Sequence, residues 1–257
     1  MNYLIAIDSD GTLRDSNGSI SSRTKKIVKK LSSNNVIVVC TARPRYHTLK
    51  ISTELESKDF LISSNGTEIY DNKNSKIIWA SYLNNNHCKK IFDYSIKNNI
   101  RIMYVIDNTE YVTQYTRNDN QILLNKNNFN KILAGKVKQI MVIGNDKEKI
   151  KKFKEVIIEE FSINVIDSSD EEKDEIWFSI VSNESSKGIA LLKLADYLNI
   201  SYEKIIAIGN DKNDISMLDI AKISVAVSNA TEETKKHALI ITDSNDNDGV
   251  AKFLETL

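Results

Sequence analysis

The hydrophobic pattern opens with a short apolar run, Tyr3-Leu4-Ile5-Ala6-Ile7, that stops abruptly at Asp8-Ser9-Asp10-Gly11-Thr12. Runs of this length, partly β-branched and ended by turn formers, predict a buried strand. Similar runs recur at 36–40, 60–63, 205–208, 224–227 and 239–242. Between them the apolar residues fall at helical spacing. Ile27, Val28 and Leu31 stand among lysines in 22–31, and Leu191, Leu192, Ala195 and Leu198 follow Ser185-Ser186-Lys187-Gly188. A further short helix is expected at 215–221. Alternating strands and helices predict an α/β fold with a Rossmann-like parallel sheet.

From residue 83 the texture changes. Asn84, Asn85 and Asn86 precede a helical pattern at 87–97, and strands are expected at 100–106, 111–113, 137–143, 163–166 and 176–181. A second helix over 147–161 carries Ile150, Phe153, Val156, Ile157 and Phe161 as a stripe, which reads as core. This mixture suits an α+β unit inserted into the first fold. The expected division is 1–82 and 183–257 for the core domain and 83–182 for the insert. Asp107, Tyr111, Tyr115, Arg117 and Trp177 of the insert could select a substrate, with a structural or surface role as the simpler reading of each.

Composition narrows the function classes. The chain has 257 residues, with 35 basic against 35 acidic and no net charge. No broad basic field is available for nucleic acid or an anionic membrane. Cys40 and Cys88, the two cysteines, lack metal-ligand spacing and suit a reducing compartment. There is no leader pattern and no apolar run near the ~20 residues of a membrane span. The expectation is a soluble, cytoplasmic protein.

Candidate chemistry sits where the apolar runs end. If extended geometry continued past Ile7, Asp8 and Asp10 would face the same side. Their repulsion, several kcal/mol at an effective dielectric of about 20, would then call for a cation or a proton. A solvated turn is the plain alternative. Thr41-Ala42-Arg43 follows the second strand, so a hydroxyl lies at the sheet's C-terminal edge, unless it merely caps a helix. Ser64-Asn65-Gly66-Thr67 signals a hairpin. Lys187 opposes the dipole of the helix it opens, an opposition that a bound phosphate would reverse. Gly209-Asn210-Asp211-Lys212-Asn213-Asp214 forms a second acidic cluster, or else a polar loop with Asp214 as helix cap. Asp243 to Gly249 superficially resembles a calcium loop, but its phase fails, and capping of the last helix explains it.

Taken in order, Asp8-Ser-Asp10-Gly11-Thr12, Thr41-Ala-Arg43, Lys187 and Gly209-Asn-Asp-Lys-Asn213-Asp214 resemble the motifs of the haloacid dehalogenase (HAD) superfamily of phosphohydrolases, specifically its Cof-like (type IIB) branch. Ser64-Asn65-Gly66 and Asp248-Gly249-Val250-Ala251 are also similar to that branch. The resemblance implies a parallel-sheet core with an inserted α+β cap, Asp8 as nucleophile and Asp10 as general acid and base. It implies that Thr41 and the amides of Ser9 and Ala42 hold phosphoryl oxygens, that Lys187 neutralises charge, and that Arg43, Asn65, Gly66 and Asn213 line the substrate. Magnesium (Mg2+) would be held by Asp8, the Asp10 carbonyl and the last loop, through Asn210, Asp211 or Asp214.

Two departures stand out. The last motif usually begins Gly-Asp, but here reads Gly209-Asn210, and Ala42 stands where Gly is frequent. The resulting expectation is a Mg2+-dependent phosphatase of a small phosphorylated metabolite such as a sugar phosphate, working through an aspartyl phosphate. Alternatives are a phosphotransferase or mutase with the same intermediate, a signalling receiver domain, which would need no insert of this size, and a catalytically impaired binding protein suggested by Asn210. Oligomeric state stays open.

Overall fold

A computed structural model describes residues 3–56, 59–114, 121–133, 136–161, 163–168 and 176–257. The chain divides into two compact units, Met1–Trp79 with Ser186–Leu257, and Ala80–Ser185. Tyr115 and Arg117 lie outside the described residues.

The first unit begins with β1 (Leu4–Ile7), α1 (Ser22–Leu31), β2 (Val36–Cys40), α2 (Arg45–Leu55), β3 (Phe60–Ser63), β4 (Glu68–Asp71) and β5 (Lys76–Ala80). The second unit follows with α3 (Asn85–Lys97), β6 (Ile102–Ile106), β7 (Thr109–Val112), β8 (Gln121–Leu123), α4 (Phe129–Ile132), β9 (Val137–Gly144), α5 (Lys147–Glu160), β10 (Asn164–Asp167) and β11 (Ile176–Val181). The chain then completes the first unit with α6 (Lys187–Leu198), β12 (Ile205–Gly209), α7 (Ile215–Ile220), β13 (Ile223–Val227), α8 (Glu232–Lys236), β14 (Ile240–Thr242) and α9 (Gly249–Leu254).

In the first unit the strand order is β14-β13-β12-β1-β2-β3-β4-β5, and the strands from β14 to β3 pair in parallel. β1 therefore has a partner on each side and no edge. Its four residues are all buried, because such a sheet is covered on both faces. Side-chain alternation sorts them. Ile5 and Ile7 join Ile37, Val39, Ile206 and Ile208 in a cluster with Val28 of α1, Leu55 of α2 and Leu254 of α9. Leu4 and Ala6 join Val38, Cys40, Ile205 and Ala207 against Leu191 and Leu194 of α6 and Met217 and Leu218 of α7. Continuing the same alternation by one step places Asp8 on the α6 and α7 side of the sheet.

In the second unit a six-stranded sheet, ordered β10-β11-β9-β6-β7-β8, is antiparallel except between β7 and β8. Its apolar face, including Ile102, Tyr104, Ile140, Val142, Phe178 and Ile180, packs on Phe92 of α3 and Phe153 of α5. Of the residues considered for substrate selection, Tyr111 packs against this cluster, and Trp177 lies in β11 opposite Ile143. Asp107 occupies the exposed turn between β6 and β7 with φ 55°.

Several elements escape the hydrophobic pattern. α2 buries Thr48 and Ser52 beside Ile51 and Leu55, so half of its buried stripe is hydroxylic. α8 is too polar to show an apolar stripe, and β8 leaves its central Ile122 exposed. The capping expected of Asp243 to Gly249 is also corrected. Asp248 precedes α9 with φ 59° and makes no side-chain capping bond. The other carboxylates have partners elsewhere, Asp243 on Lys252 and Asp246 on the Ser16 amide and hydroxyl, both at 2.7 Å. Among the described residues, no helix is long and apolar enough to cross a membrane.

The hairpin expected at Asn65-Gly66 forms between β3 and β4, with Ser63 opposite Glu68. Its loop carries three successive positive φ values, 51° at Ser64, 56° at Asn65 and 83° at Gly66. Gly66 has a second constraint, because a Cβ there would lie 2.1 Å from the carbonyl oxygen of Ser186, which caps α6. Gly66→Ala should therefore destabilise the protein by on the order of 2–4 kcal/mol, combining left-handed strain with a backbone clash. Urea unfolding measures this, and a loss below about 1 kcal/mol would mean that the start of α6 yields freely.

Candidate active site

The four motifs meet at the C-terminal edge of the parallel strands, where ligands bind in open α/β sheets. Asp8 follows β1, and its amide donates to the Ile208 carbonyl of β12 at 2.9 Å. Lys187, the first residue of α6, is 1% exposed. Its Nζ donates to Asp8 Oδ1 at 2.6 Å and to Asp214 Oδ1 at 2.5 Å. The solvated lysine usual at a helix start is thus replaced by a buried ammonium between two carboxylates. Gly188 permits this close packing, since a Cβ there would meet the Ser216 carbonyl at 2.1 Å.

Asp214 organises the last loop. Its Oδ2 accepts the amides of Asn210 at 2.9 Å and Asp211 at 3.0 Å. It is the N-cap residue of α7 but makes no side-chain bond to that helix, and its side chain instead closes a capping box with Asp211 over the turn Lys212–Asp214. Asp211 accepts the Lys212 amide at 2.7 Å, and burial raises its carboxyl above the ordinary range. Both acids are engaged by their own loop.

Asp10 is held by a different cation from Asp8, and its charge still acts on Asp8. The extended geometry expected to continue past Ile7 ends in a turn at Ser9, whose carbonyl accepts the amides of Leu13 and Arg14. The Asp10 carboxylate is half-exposed and clamped by Arg43, Nε to Oδ2 at 2.6 Å and a terminal nitrogen to Oδ1 at 2.8 Å. Arg14 approaches Asp10 to 3.6 Å. Each of the two motif carboxylates therefore has its own cation.

Thr41 is buried, and its Oγ1 accepts the Arg43 amide at 3.2 Å. It does not cap α2, whose N-cap is Pro44. Its carbonyl accepts the amide of Asn65 at 3.1 Å, and Asn65 Oδ1 accepts from Asn213 Nδ2, also at 3.1 Å. Ala42 is half-buried beside them, whereas Gly66 serves the packing under Ser186. Ser9 is fully buried, with no hydrogen-bond partner for its Oγ among the described residues. Sequence reasoning assigned no role to Thr12 or Arg14. Thr12 lies against Asn210, and the i to i+4 spacing of Arg14 from Asp10 was the available signal.

A sequence profile of haloacid dehalogenase-like hydrolases matches residues 5–254. The chain belongs to that family. It is a phosphatase, a phosphoric monoester hydrolase of the HAD type. The 5-amino-6-(5-phospho-D-ribitylamino)uracil phosphatase YcsE of Bacillus subtilis is 28% identical, covering 98% of this chain and 94% of its own. A haloacid dehalogenase-like hydrolase from Bacteroides thetaiotaomicron superposes with a TM-score of 0.85 at 26% identity, over 100% of this chain and 99% of its own. A HAD subclass IIB sugar phosphatase shares the fold, with a TM-score of 0.84 at 20% identity, over 99% of this chain and 98% of its own.

The donors fit magnesium. Asp8 Oδ2, the Asp10 carbonyl and the Asn210 carboxamide converge, and this is a hard oxygen set with few charges, as Mg2+ accepts when it retains waters. Among the described residues, no cluster of three or more His, Cys, Asp or Glu side chains could hold a metal.

Charge in this cluster is unbalanced, with two buried carboxylates on one ammonium. Burial first, and then the charge of Asp214, push the Asp8 carboxyl up to about 7 against the pull of Lys187. Burial opposes the charge on Lys187, yet Asp214 and Asp8 together raise its pKa above the ordinary value. The sign for stability follows. The folded state holds the Asp8 proton more tightly than the unfolded chain, so this group costs stability as pH rises from about 4 to about 7 and changes nothing further above. In EDTA, the stability difference between Asp8→Asn and wild type should shift in the variant's favour across that window by on the order of 2–4 kcal/mol. Urea unfolding at pH 4.5 and 7.5 measures it. A difference independent of pH would assign Asp8 an ordinary pKa.

Proposed function

We propose that this chain hydrolyses the phosphate ester of a small sugar or sugar-alcohol phosphate in the cytoplasm, through an aspartyl phosphate on Asp8. The observation that carries the reading is the buried Asp8, held at the C-terminal edge of the sheet by Lys187, which also pairs with Asp214. The ribityl phosphate in the name of the Bacillus subtilis relative supports the substrate class.

In this reading the Asp8 carboxylate attacks phosphorus and the bond to the leaving oxygen breaks. Asp10 gives that oxygen a proton, then takes one from the water that hydrolyses the acyl phosphate. Arg43 orients Asp10 through its paired hydrogen bonds and must loosen one of them as the proton moves. Lys187 neutralises the nucleophile and the incoming phosphate, while Thr41 and the amides of Ser9 and Ala42 receive phosphoryl oxygens. Phosphoryl transfer depends mainly on such positioning and neutralisation. Mg2+, held by Asp8, the Asp10 carbonyl and Asn210, would supply Lewis-acid stabilisation of phosphoryl charge.

The test is phosphate release from a panel of sugar, sugar-alcohol and nucleotide phosphates, with Mg2+ or EDTA. The expected result is Mg2+-dependent release that favours sugar and polyol phosphates and falls at least about 1,000-fold in Asp8→Asn. Release that survives the substitution would exclude the aspartyl phosphate. Arg43→Lys keeps the charge but loses the fork, and should lower kcat about 10-fold with little change in KM. An unchanged kcat would exclude the orienting role.

A further inference from the structure

The segment from Thr41 to the start of α2 is gripped by the β3–β4 hairpin at every second residue. The Thr41 carbonyl accepts the Asn65 amide at 3.1 Å, and the Arg43 carbonyl accepts the Ser64 amide at 2.9 Å. Arg45 is gripped through its side chain. Its guanidinium lies 3.3 Å from Glu68 Oε2 and 4.7 Å from the centre of the Tyr70 ring. Glu68 and Tyr70 are two residues apart in β4, so the period of the strand brings both to one face of it. Glu68 is fully buried, and its Oε1 accepts the Ser63 hydroxyl at 3.4 Å.

A carboxylate buried this completely is costly unless a cation compensates it. What the pair supports is α2, a helix poorly started by its own sequence. Pro44, the N-cap, has no side-chain acceptor to give, and the first residue is a cation, which the helix dipole disfavours. Glu68 supplies from β4 the negative charge that the first turn, Arg45-Tyr46-His47-Thr48, lacks.

The start of α2 in turn fixes Arg43. Pro44 joins it stiffly to Arg45, and the Thr48 hydroxyl donates back to the Arg43 carbonyl at 3.2 Å. The fork that Arg43 makes on Asp10 is open to water, with the two side chains 38% and 48% exposed, and pairs so exposed hold each other weakly. Arg45 and Glu68 are 17% and 0% exposed. Direction must therefore come from the backbone end of Arg43, and the buried pair two residues on anchors that end.

We propose that Glu68 is a positioning residue for the reaction. Through Arg45 it fixes the start of α2, and so the backbone from which Arg43 orients Asp10 for proton transfer to the leaving oxygen. The inference rests on the proposed role of Asp10 as proton donor.

The test measures kcat/KM of wild type, Glu68→Gln, Arg43→Lys and the double variant on two kinds of ester. A sugar phosphate has an alkoxide leaving group that needs the Asp10 proton, whereas p-nitrophenyl phosphate releases a stable phenolate that does not. Glu68→Gln keeps the shape of the side chain and removes its charge. It should lower kcat/KM about 5-fold on the sugar phosphate and by less than about 2-fold on p-nitrophenyl phosphate. In the Arg43→Lys background the same substitution should lower it by less than about 2-fold on the sugar phosphate, since both act through one fork. Arg45→Lys keeps the charge and loses the planar contact with Tyr70. It should show the same dependence on the ester, and it carries the test if Glu68→Gln does not fold. Equal losses on both esters, an undiminished loss in the Arg43→Lys background, or unchanged kinetics would overturn the proposal while leaving the phosphatase reading in place. A wild type that releases phosphate from neither ester overturns the functional reading and this inference together.

Discussion

One buried ammonium ties together the loops at the C-terminal edge of the parallel strands. Lys187 Nζ, deprived of water, is compensated by Asp8 and Asp214, which arrive from opposite ends of the chain. Burying charges is costly unless geometry and extra hydrogen bonds offset it, and removal of one partner leaves the other stranded. Asp214 meets the second requirement through the Asn210 and Asp211 amides. The lysine therefore fixes more than its own position. Through Asp214 it sets the path of the last loop, and through Asp8 it sets the end of β1.

The surplus negative charge in this cluster has a chemical use. Two carboxylates on one lysine leave Asp8 under-neutralised, which is why burial and Asp214 can push its proton affinity upward. A site in that condition favours whatever brings positive charge, and it disfavours a phosphate arriving alone. Asp10 has a cation of its own in Arg43, while its charge adds to the upward push that burial and Asp214 exert on Asp8.

Close backbone approach is the other recurring device. Gly66 lets the β3–β4 turn lie against Ser186, and Gly188 lets α6 lie against the start of α7. The Gly188 contact brings two helix starts together rather than helix sides, so a first-turn residue, Lys187, reaches the two carboxylates. That is how a lysine placed against its own helix dipole becomes buried and paired.

Much of this was legible in the sequence. The apolar runs ending in Asp8, Thr41 and Gly209 specified strands buried on both faces, and period two alone predicts which face Asp8 takes. The ordered motifs named Asp8, Asp10, Thr41, Lys187 and the 209–214 loop as one site. Local pattern could not show that Asp8 and Asp10 part company, because the turn at Ser9 is made by hydrogen bonds to residues 13 and 14. Nor could it show Arg43 clamping Asp10, or Asp211 and Asp214 turning to their own loop's amides, since each depends on which donor stands closest in space. α2 was invisible because a stripe half made of Thr and Ser carries no hydrophobic signal. The amino-acid pattern by itself determined the buried parallel strands, and it led us to expect an inserted domain and a single site. Tertiary structure decided which charge meets which, because buried electrostatics depends on distances of a few ångströms between segments far apart in the chain.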